Sequence, residues 1–207
     1  MTRVTAGTFV RAIAGESVSG DACIVETCAC GVVVAAVDGL GHGPAAALAS
    51  NAFVECVRAG LDASLVELFA TANRALRKTR GAVAVVARFD EAAGSVEIAG
   101  LGNVTALLSN GSFRPKHIVL PAGVVGGTLR SIRPQVLDFF PGDVLLLHTD
   151  GVQSGFDWAR LRCLSPEDVA RAIVTNHGRE NDDAGCVVVV GTTSMAPRPW
   201  RPDPAGV

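Results

Sequence analysis

Three apolar runs in this chain abut acidic residues. Val32-Val33-Val34-Ala35-Ala36-Val37 runs into Asp38-Gly39, and Val144-Leu145-Leu146-Leu147-His148-Thr149 runs into Asp150-Gly151. Asp182-Asp183 stands just ahead of Cys186-Val187-Val188-Val189-Val190. Short apolar runs of this kind read as strands buried in a core. A carboxylate at the mouth of such a strand is costly unless a cation or donor meets it, and several at one end of a sheet repel each other. A bound divalent metal is the simplest remedy. Adding Asp21, also at a predicted strand boundary, the candidate acids are Asp21, Asp38, Asp150, Asp182 and Asp183. Oxygen ligands suit hard ions such as Mg²⁺ or Mn²⁺ rather than zinc. A glycine after the aspartate lets the backbone approach closely and offers its own carbonyl as a ligand. Two such ions about 3.5–4 Å apart can hold a bridging hydroxide and polarise a phosphoryl group. The pattern points to a metal-dependent hydrolase. An isolated Asp-Gly is more commonly a turn, but three acidic boundaries attached to buried runs are harder to explain that way.

The loop Asp38-Gly-Leu-Gly-His-Gly43 could form a phosphate-cradling nest. It is not a Walker A loop, because no Gly-Lys-Ser/Thr follows, and its glycine spacing is not that of a dinucleotide fingerprint. His42 has two readings: a general acid toward a leaving oxygen, or a residue that hydrogen-bonds near a helix start. His148 lies in a strand interior and reads as a satisfied structural histidine; His117 and His177 have no evident partners. There is no Gly-x-Ser-x-Gly elbow and no cysteine before a phosphate loop closed by an arginine. Water activated by metal is the best nucleophile on offer.

The elements that must hold these residues follow from periodicity and punctuation. Thr2 to Ala14 predicts a first strand, then a loop at Gly15 to Gly20; Ala22 to Ala29 and Val32 to Val37 predict two strands joined near Cys30-Gly31. Pro44 suits the first turn of a helix with Leu48, Ala52, Phe53, Cys56 and Val57 on one face and a stop near Gly60. Ser64-Leu-Val-Glu67 is a capping box opening a second helix with a stripe of Leu65, Leu68, Phe69, Ala72 and Leu76. The cluster Arg74, Arg77, Lys78 and Arg80 near its end reads as a solvated helix terminus that suits the dipole, or as a docking patch for an acidic partner. Strands are predicted at Val83 to Phe89, Ser95 to Ala99, Thr105 to Leu108, Ser112 to Ile118, Pro134 to Phe139 and Val144 to Thr149. Ser165-Pro-Glu-Asp168 opens a third helix with Val169, Ala172 and Ile173 inward and Gly178 as its stop, before a last strand at Gly185 to Gly191. Grouped helices among many strands favour an α+β layered domain over a βαβ dinucleotide fold. Residues 1–193 are expected to form one domain, with a proline-rich flexible tail at 194–207.

Composition narrows the function classes. The chain has 207 residues, 49% hydrophobic and 18% charged, with a net charge of −2, which predicts a packed globule rather than disorder. Arginine and lysine are scattered, so no nucleic-acid footprint is expected. No apolar stretch reaches membrane-spanning length, and the N-terminus lacks the pattern of a secretory signal. The six cysteines sit mostly in apolar runs, lack zinc-pair spacing, and are expected to be reduced in a cytoplasm.

Taken together, Gly20-Asp21, Val37-Asp-Gly-Leu-Gly-His-Gly43, Gly102-Asn103, Pro141-Gly-Asp143, His148-Thr-Asp-Gly151 and Asn181-Asp-Asp-Ala184 occur in an order that resembles PPM-type serine/threonine phosphatases of the SpoIIE branch, most of all its compact stressosome phosphatases. The match runs from about Phe9 to Val190. The resemblance implies a four-layer α/β/β/α sandwich of two antiparallel sheets flanked by helices, with two Mn²⁺ or Mg²⁺ ions between the strand ends. It implies that Asp38 bridges both ions, Gly39 adds its carbonyl, Asp150 and Asp182 complete one ion, Asp21 binds or orients water on the other, and Asp183 supports the ligands or substitutes for one. A bridging hydroxide would then attack phosphoserine or phosphothreonine without a phosphoenzyme. The implied partner is a phosphorylated regulator, a STAS-domain or stressosome component or an anti-sigma antagonist. Two other readings stand beside it: a phosphatase-like binding module that sequesters a partner protein, and a small-molecule phosphohydrolase using the same metals.

Overall fold

The computed structural model describes residues 2–110, 115–128, 131–157 and 164–193. Along the chain run β1 (Thr2–Arg11), β2 (Asp21–Cys28), β3 (Gly31–Gly39), α1 (Gly43–Ala59), α2 (Leu65–Ala75) and a single 3₁₀ turn at Leu76–Lys78. Then come β4 (Ala82–Asp90), β5 (Ser95–Leu101), β6 (Thr105–Ser109), β7 (Lys116–His117), β8 (Gln135–Asp138), β9 (Val144–His148), α3 (Pro166–His177) and β10 (Ala184–Thr193). The strands form two five-stranded sheets, ordered β1-β10-β9-β6-β7 and β2-β3-β4-β5-β8. The strand pairs within them are antiparallel.

The long apolar runs are long because both faces of their strands are covered. In β3, Val33, Ala35 and Val37 pack with Phe53, Val57, Leu68 and Phe69 of α1 and α2. The intervening Val34 and Ala36 face the other sheet, where they meet Leu145, Leu147, Val187 and Val189. Beyond that sheet, Leu146, Cys186 and Val188 pack under Val169, Ile173 and Val174 of α3. Three apolar layers therefore separate helices, sheet, sheet and helix, and the expected α/β/β/α order holds. Phe53 and Phe69 meet edge to face at 5.4 Å between ring centroids in the first layer, and Phe89 and Phe139 at 4.8 Å in the middle one.

Helix ends follow their signals. Pro44 lies in the first turn of α1. The Ser64–Glu67 capping box opens α2 with both of its reciprocal bonds. Ser165 caps α3 by accepting from the Asp168 N–H at 3.2 Å. The expected stripe of α2 is buried in full.

Three expectations are corrected. β1 stops at Arg11, not Ala14. Leu48 is 62% exposed, because the buried stripe of α1 follows Ala46, Ala49, Phe53 and Val57, and a residue two positions past Ala46 points the other way. In α3 the inward positions are Val169, Ala170, Ile173 and Val174, with Ala172 half-buried. Residues 112–114 of one expected strand, Cys163 and the tail 194–207 lie outside the described residues. The other five cysteines are free thiols.

Candidate metal centre

The acidic residues meet where the two sheets face each other at one end. In the β2–β3 pair, Asp21 and Asp38 are direct cross-strand partners, so antiparallel register alone places one carboxylate beside the other. From the second sheet, β9 pairs with β10 through His148 and Cys186, which brings Thr149-Asp150 alongside Asp182-Asp183 as the strands leave the sheet. The Asp38 and Asp150 carboxyls come within hydrogen-bonding reach of each other, and both Asp182 and Asp183 add to the negative field at Asp38.

Glycines permit this approach. A Cβ on Gly39 would lie 2.1 Å from the Ala46 carbonyl oxygen, and one on Gly151 would lie 1.8 Å from the Asp183 carbonyl oxygen. No other residue fits either place, so the glycine after each aspartate closes the site rather than merely turning the chain.

Thr149 ties the sheets together at the site. Its hydroxyl donates to Asp21 Oδ2 at 2.6 Å and accepts from the Gly185 N–H at 2.9 Å. Asn103, in the turn between β5 and β6, donates its side-chain amide to Asp150 Oδ2 at 2.6 Å. Asp183 is engaged differently: Oδ1 accepts from the Ile13 N–H and Oδ2 from the Gly20 N–H, each at 2.8 Å. It anchors the loop before β2 to the start of β10. Asp182 Oδ1 accepts from the Asp183 N–H at 3.0 Å.

Burial and mutual repulsion set the charge state of the cluster. Burial, then the neighbouring Asp38, Asp183 and Asp182, push the Asp21 carboxyl up to about 8 against the pull of the Thr149 hydroxyl. Burial, then Asp150, Asp182 and Asp183, push Asp38 up to about 7. Asp182 is raised by burial and by Asp150, with Arg179 acting in the opposite sense. Among the described residues, no lysine, arginine or histidine forms an ion pair with any of the five. As they stand, no three of the described His, Cys, Asp or Glu side chains form a closed grip on an ion. The all-oxygen donor set, short of positive charge and open on the Asp150 side, is nevertheless the chemistry that a hard divalent cation satisfies.

His42 stands at the N-cap of α1 without capping it. Its Nδ1 meets Glu16 Oε1 at 2.8 Å, and the ring is 61% exposed. Glu16 pairing was not legible, since 26 residues separate the two. His148 is buried as expected, with Nδ1 2.8 Å from the Thr149 carbonyl, and burial lowers its basicity. His177 does have a partner: its ring meets Phe156 edge to face at 5.3 Å. Thr149 and Asn103 sit inside quoted motifs, but nothing in the spacing assigned them these bonds.

The chain matches the sequence profile of Stage II sporulation protein E (SpoIIE) over residues 30–191, and it belongs to that family. It is 26% identical to the phosphoserine phosphatase RsbX of Bacillus subtilis over 141 residues, 67% of this chain and 69% of that protein. A solved structure described under "The bacterial stressosome: a modular system that has been adapted to control secondary messenger signaling" is 30% identical, with a TM-score of 0.84 over 90% of this chain and 99% of that one. The structure of RsbX in complex with magnesium shares the fold at 19% identity, with a TM-score of 0.80 over 91% of this chain and 96% of that one. So does the catalytic domain of the serine/threonine phosphatase PstP with two manganese ions, at 14% identity, a TM-score of 0.73, and coverage of 93% and 100%.

Proposed function

We propose that this protein serine/threonine phosphatase of the SpoIIE family removes phosphate from a phosphorylated bacterial stress-signalling regulator, a STAS-domain or stressosome component. The observation that carries the chemistry is the meeting of Asp21 and Asp38 across β2–β3 with Asp150 from the other sheet, among acids that form no ion pair with a basic side chain among the described residues. The similarity to RsbX and to a stressosome structure at 30% identity supports the choice of partner. No helix among the described residues is long and apolar enough to cross a membrane.

The residues divide the work. Asp38, Asp150 and Asp182, with the Gly39 carbonyl, are assigned to holding divalent cations, Mn²⁺ or Mg²⁺, and Asp21 to a second ion or its water. Asp183 holds the loop of residues 13–20 in place through its two backbone bonds and is assigned a supporting role. Bound cations supply the activated water and the positive charge that phosphoryl transfer needs. Thr149 fixes the Asp21 carboxylate, and Asn103 fixes that of Asp150. Glu16 holds Nδ1 of His42, and in the imidazolium form the Nε2–H is assigned to protonate the departing serine or threonine oxygen.

The test is incubation with a phosphorylated STAS-domain protein, with and without Mn²⁺, beside a small phosphate ester. Mn²⁺-dependent phosphate release, faster from the phosphoprotein, is expected. Tight partner binding with neither Mn²⁺ uptake nor turnover would mark a sequestering module instead. Faster hydrolysis of the small ester would mark a small-molecule phosphohydrolase.

A further inference from the structure

A groove of about 630 Å³ opens from the metal site, with Asp150 and Asn103 at its inner end. Its lining also includes His148, Phe156, Ser154 and His117 of β7. The volume is ample for a side chain and its flanking backbone. β7 ends its sheet and pairs only with Leu107 and Leu108 of β6, so its outer edge is unpaired among the described strands. Such an edge accepts an extended segment by backbone hydrogen bonding.

One guanidinium faces this space. Arg179 is the one arginine or lysine among the groove's described lining residues. Its backbone is pinned on both sides: its N–H donates to the Gly151 carbonyl at 2.7 Å, and its own carbonyl accepts from the Arg11 guanidinium. Its side chain is exposed and forms no ion pair or hydrogen bond among the described residues. It nevertheless lies near enough to Asp182 to oppose the rise in that carboxyl's pKa. A pinned backbone one residue from the site with an uncommitted planar cation is a ready partner for a phosphoryl group, which arginine can take through two parallel bonds.

We propose that this groove seats the phosphorylated segment of the substrate protein in extended form along β7, with Arg179 gripping its phosphoryl oxygens. The inference rests on the phosphatase reading for the identity of the occupant, and on the groove and Arg179 for where it lies. A phosphate dianion entering beside five aspartates needs positive charge from the protein as well as from cations, and Arg179 is placed to supply it.

Phosphate binding tests this apart from turnover. Inorganic phosphate and an alanine-flanked phosphoserine peptide are titrated into the Mn²⁺-loaded full chain, followed by calorimetry. Arg179→Ala is expected to weaken phosphate binding at least tenfold, and Arg179→Lys about threefold, since lysine keeps the charge but loses the fork. Mn²⁺ affinity measured without phosphate should stay within twofold; a parallel loss would mean that Arg179 only supports the metal ligands and would overturn the assignment. Ser154→Trp, which fills the groove, is expected to lower the ratio of kcat/KM for the peptide to that for p-nitrophenyl phosphate at least tenfold. An unchanged ratio, or an unchanged phosphate affinity in Arg179→Ala, sinks the proposal. Arg179-dependent phosphate binding in a protein that hydrolyses neither ester would leave the groove standing and overturn the phosphatase reading instead.

Discussion

In β3, Val33 through Val37 are fully buried between α1, α2 and the opposite sheet; one residue later, Asp38 faces Asp21, Asp150 and Asp182. The sheet interior and the acidic mouth are thus built on the same strands with the same register. In the interior each added residue lowers the free energy by removing apolar surface from water. At the mouth each added carboxylate raises it, through desolvation and repulsion of its neighbours. The interior therefore carries stability that the mouth consumes, which is the usual arrangement where a fold hosts chemistry. Within the mouth itself, Asp183, with two backbone donors on its two oxygens, belongs structurally with the interior, while Asp38 and Asp21 do not.

The comparison breaks most visibly with one substitution on each side. Asp38→Asn is expected to lower Mn²⁺-dependent phosphate release by about 10²–10³-fold, the scale seen when one preorganised group that stabilises the transition state is removed. It should leave the metal-free protein no less stable, because the change removes a repelled charge. Phe53→Ala should do the reverse, costing about 3–5 kcal/mol of stability while leaving the activity per folded molecule intact below the new melting temperature. Phosphate release and thermal unfolding measured on both variants check this. Equal loss of stability in both would mean that Asp38 is a structural residue.

His42→Ala is the next largest effect. A general acid contributes about 10²-fold or more, but only where the leaving oxygen needs a proton. Turnover of phosphoserine is therefore expected to fall about a hundredfold, and that of p-nitrophenyl phosphate, whose leaving group departs as a stable anion, less than threefold. Glu16→Gln, which keeps a hydrogen-bonding partner for Nδ1, should cost less than His42→Ala. If both esters suffered alike, the histidine would serve the start of α1 rather than the leaving group.

Much of this division was legible in the sequence. The interior strands announced themselves because burial on both faces forbids polar residues, so Val32 to Val37 and Val144 to Leu147 had to be apolar throughout. The acids at their ends stood out for the same reason. Helix starts were legible because Pro44, Ser64 and Ser165 act locally. What escaped depends on contacts between distant segments. The Thr149 bond to Asp21 spans 128 residues, and the Asn103 bond to Asp150 spans 47. Arg179 looks like any charged residue after a helix until its backbone is seen bonded to Gly151. Leu48 was misplaced because two faces of α1 carry apolar residues, and only packing against β3 chooses between them.

Thr149→Val sharpens the boundary between the two regions, since the residue is buried like the core yet bonded into the site. Valine keeps the volume but removes the donor to Asp21 and the acceptor for the Gly185 N–H. Loss of a group that orients a metal ligand costs about 10–100-fold in metal affinity or activity. That range in the Mn²⁺ dependence of turnover is the expected result. A variant with wild-type Mn²⁺ dependence and only a lower melting temperature would assign Thr149 to the core alone.

The smallest effect is on the metal-free protein and depends on pH. Asp21 and Asp38 hold their protons up to about 8 and about 7 in the folded chain, while an unfolded aspartate releases its proton near 4. Between these values the folded state binds more protons than the unfolded state, so stability falls as pH rises. The loss begins above about pH 4 and is complete once the pH passes the folded values of about 7 and 8. With a chelator present, the melting temperature should therefore drop by several degrees from pH 5 to pH 8.5, at roughly 2–4 °C per kcal/mol for a chain of this size. Millimolar Mn²⁺ should restore more of it at pH 8.5 than at pH 5, because the cation binds the deprotonated cluster and competes with the proton. In Asp38→Asn the slope should shrink, since one of the two repelled carboxylates is gone. A slope unaffected by both Mn²⁺ and the substitution would place the pH dependence elsewhere in the fold and remove the electrostatic cost from the acidic mouth.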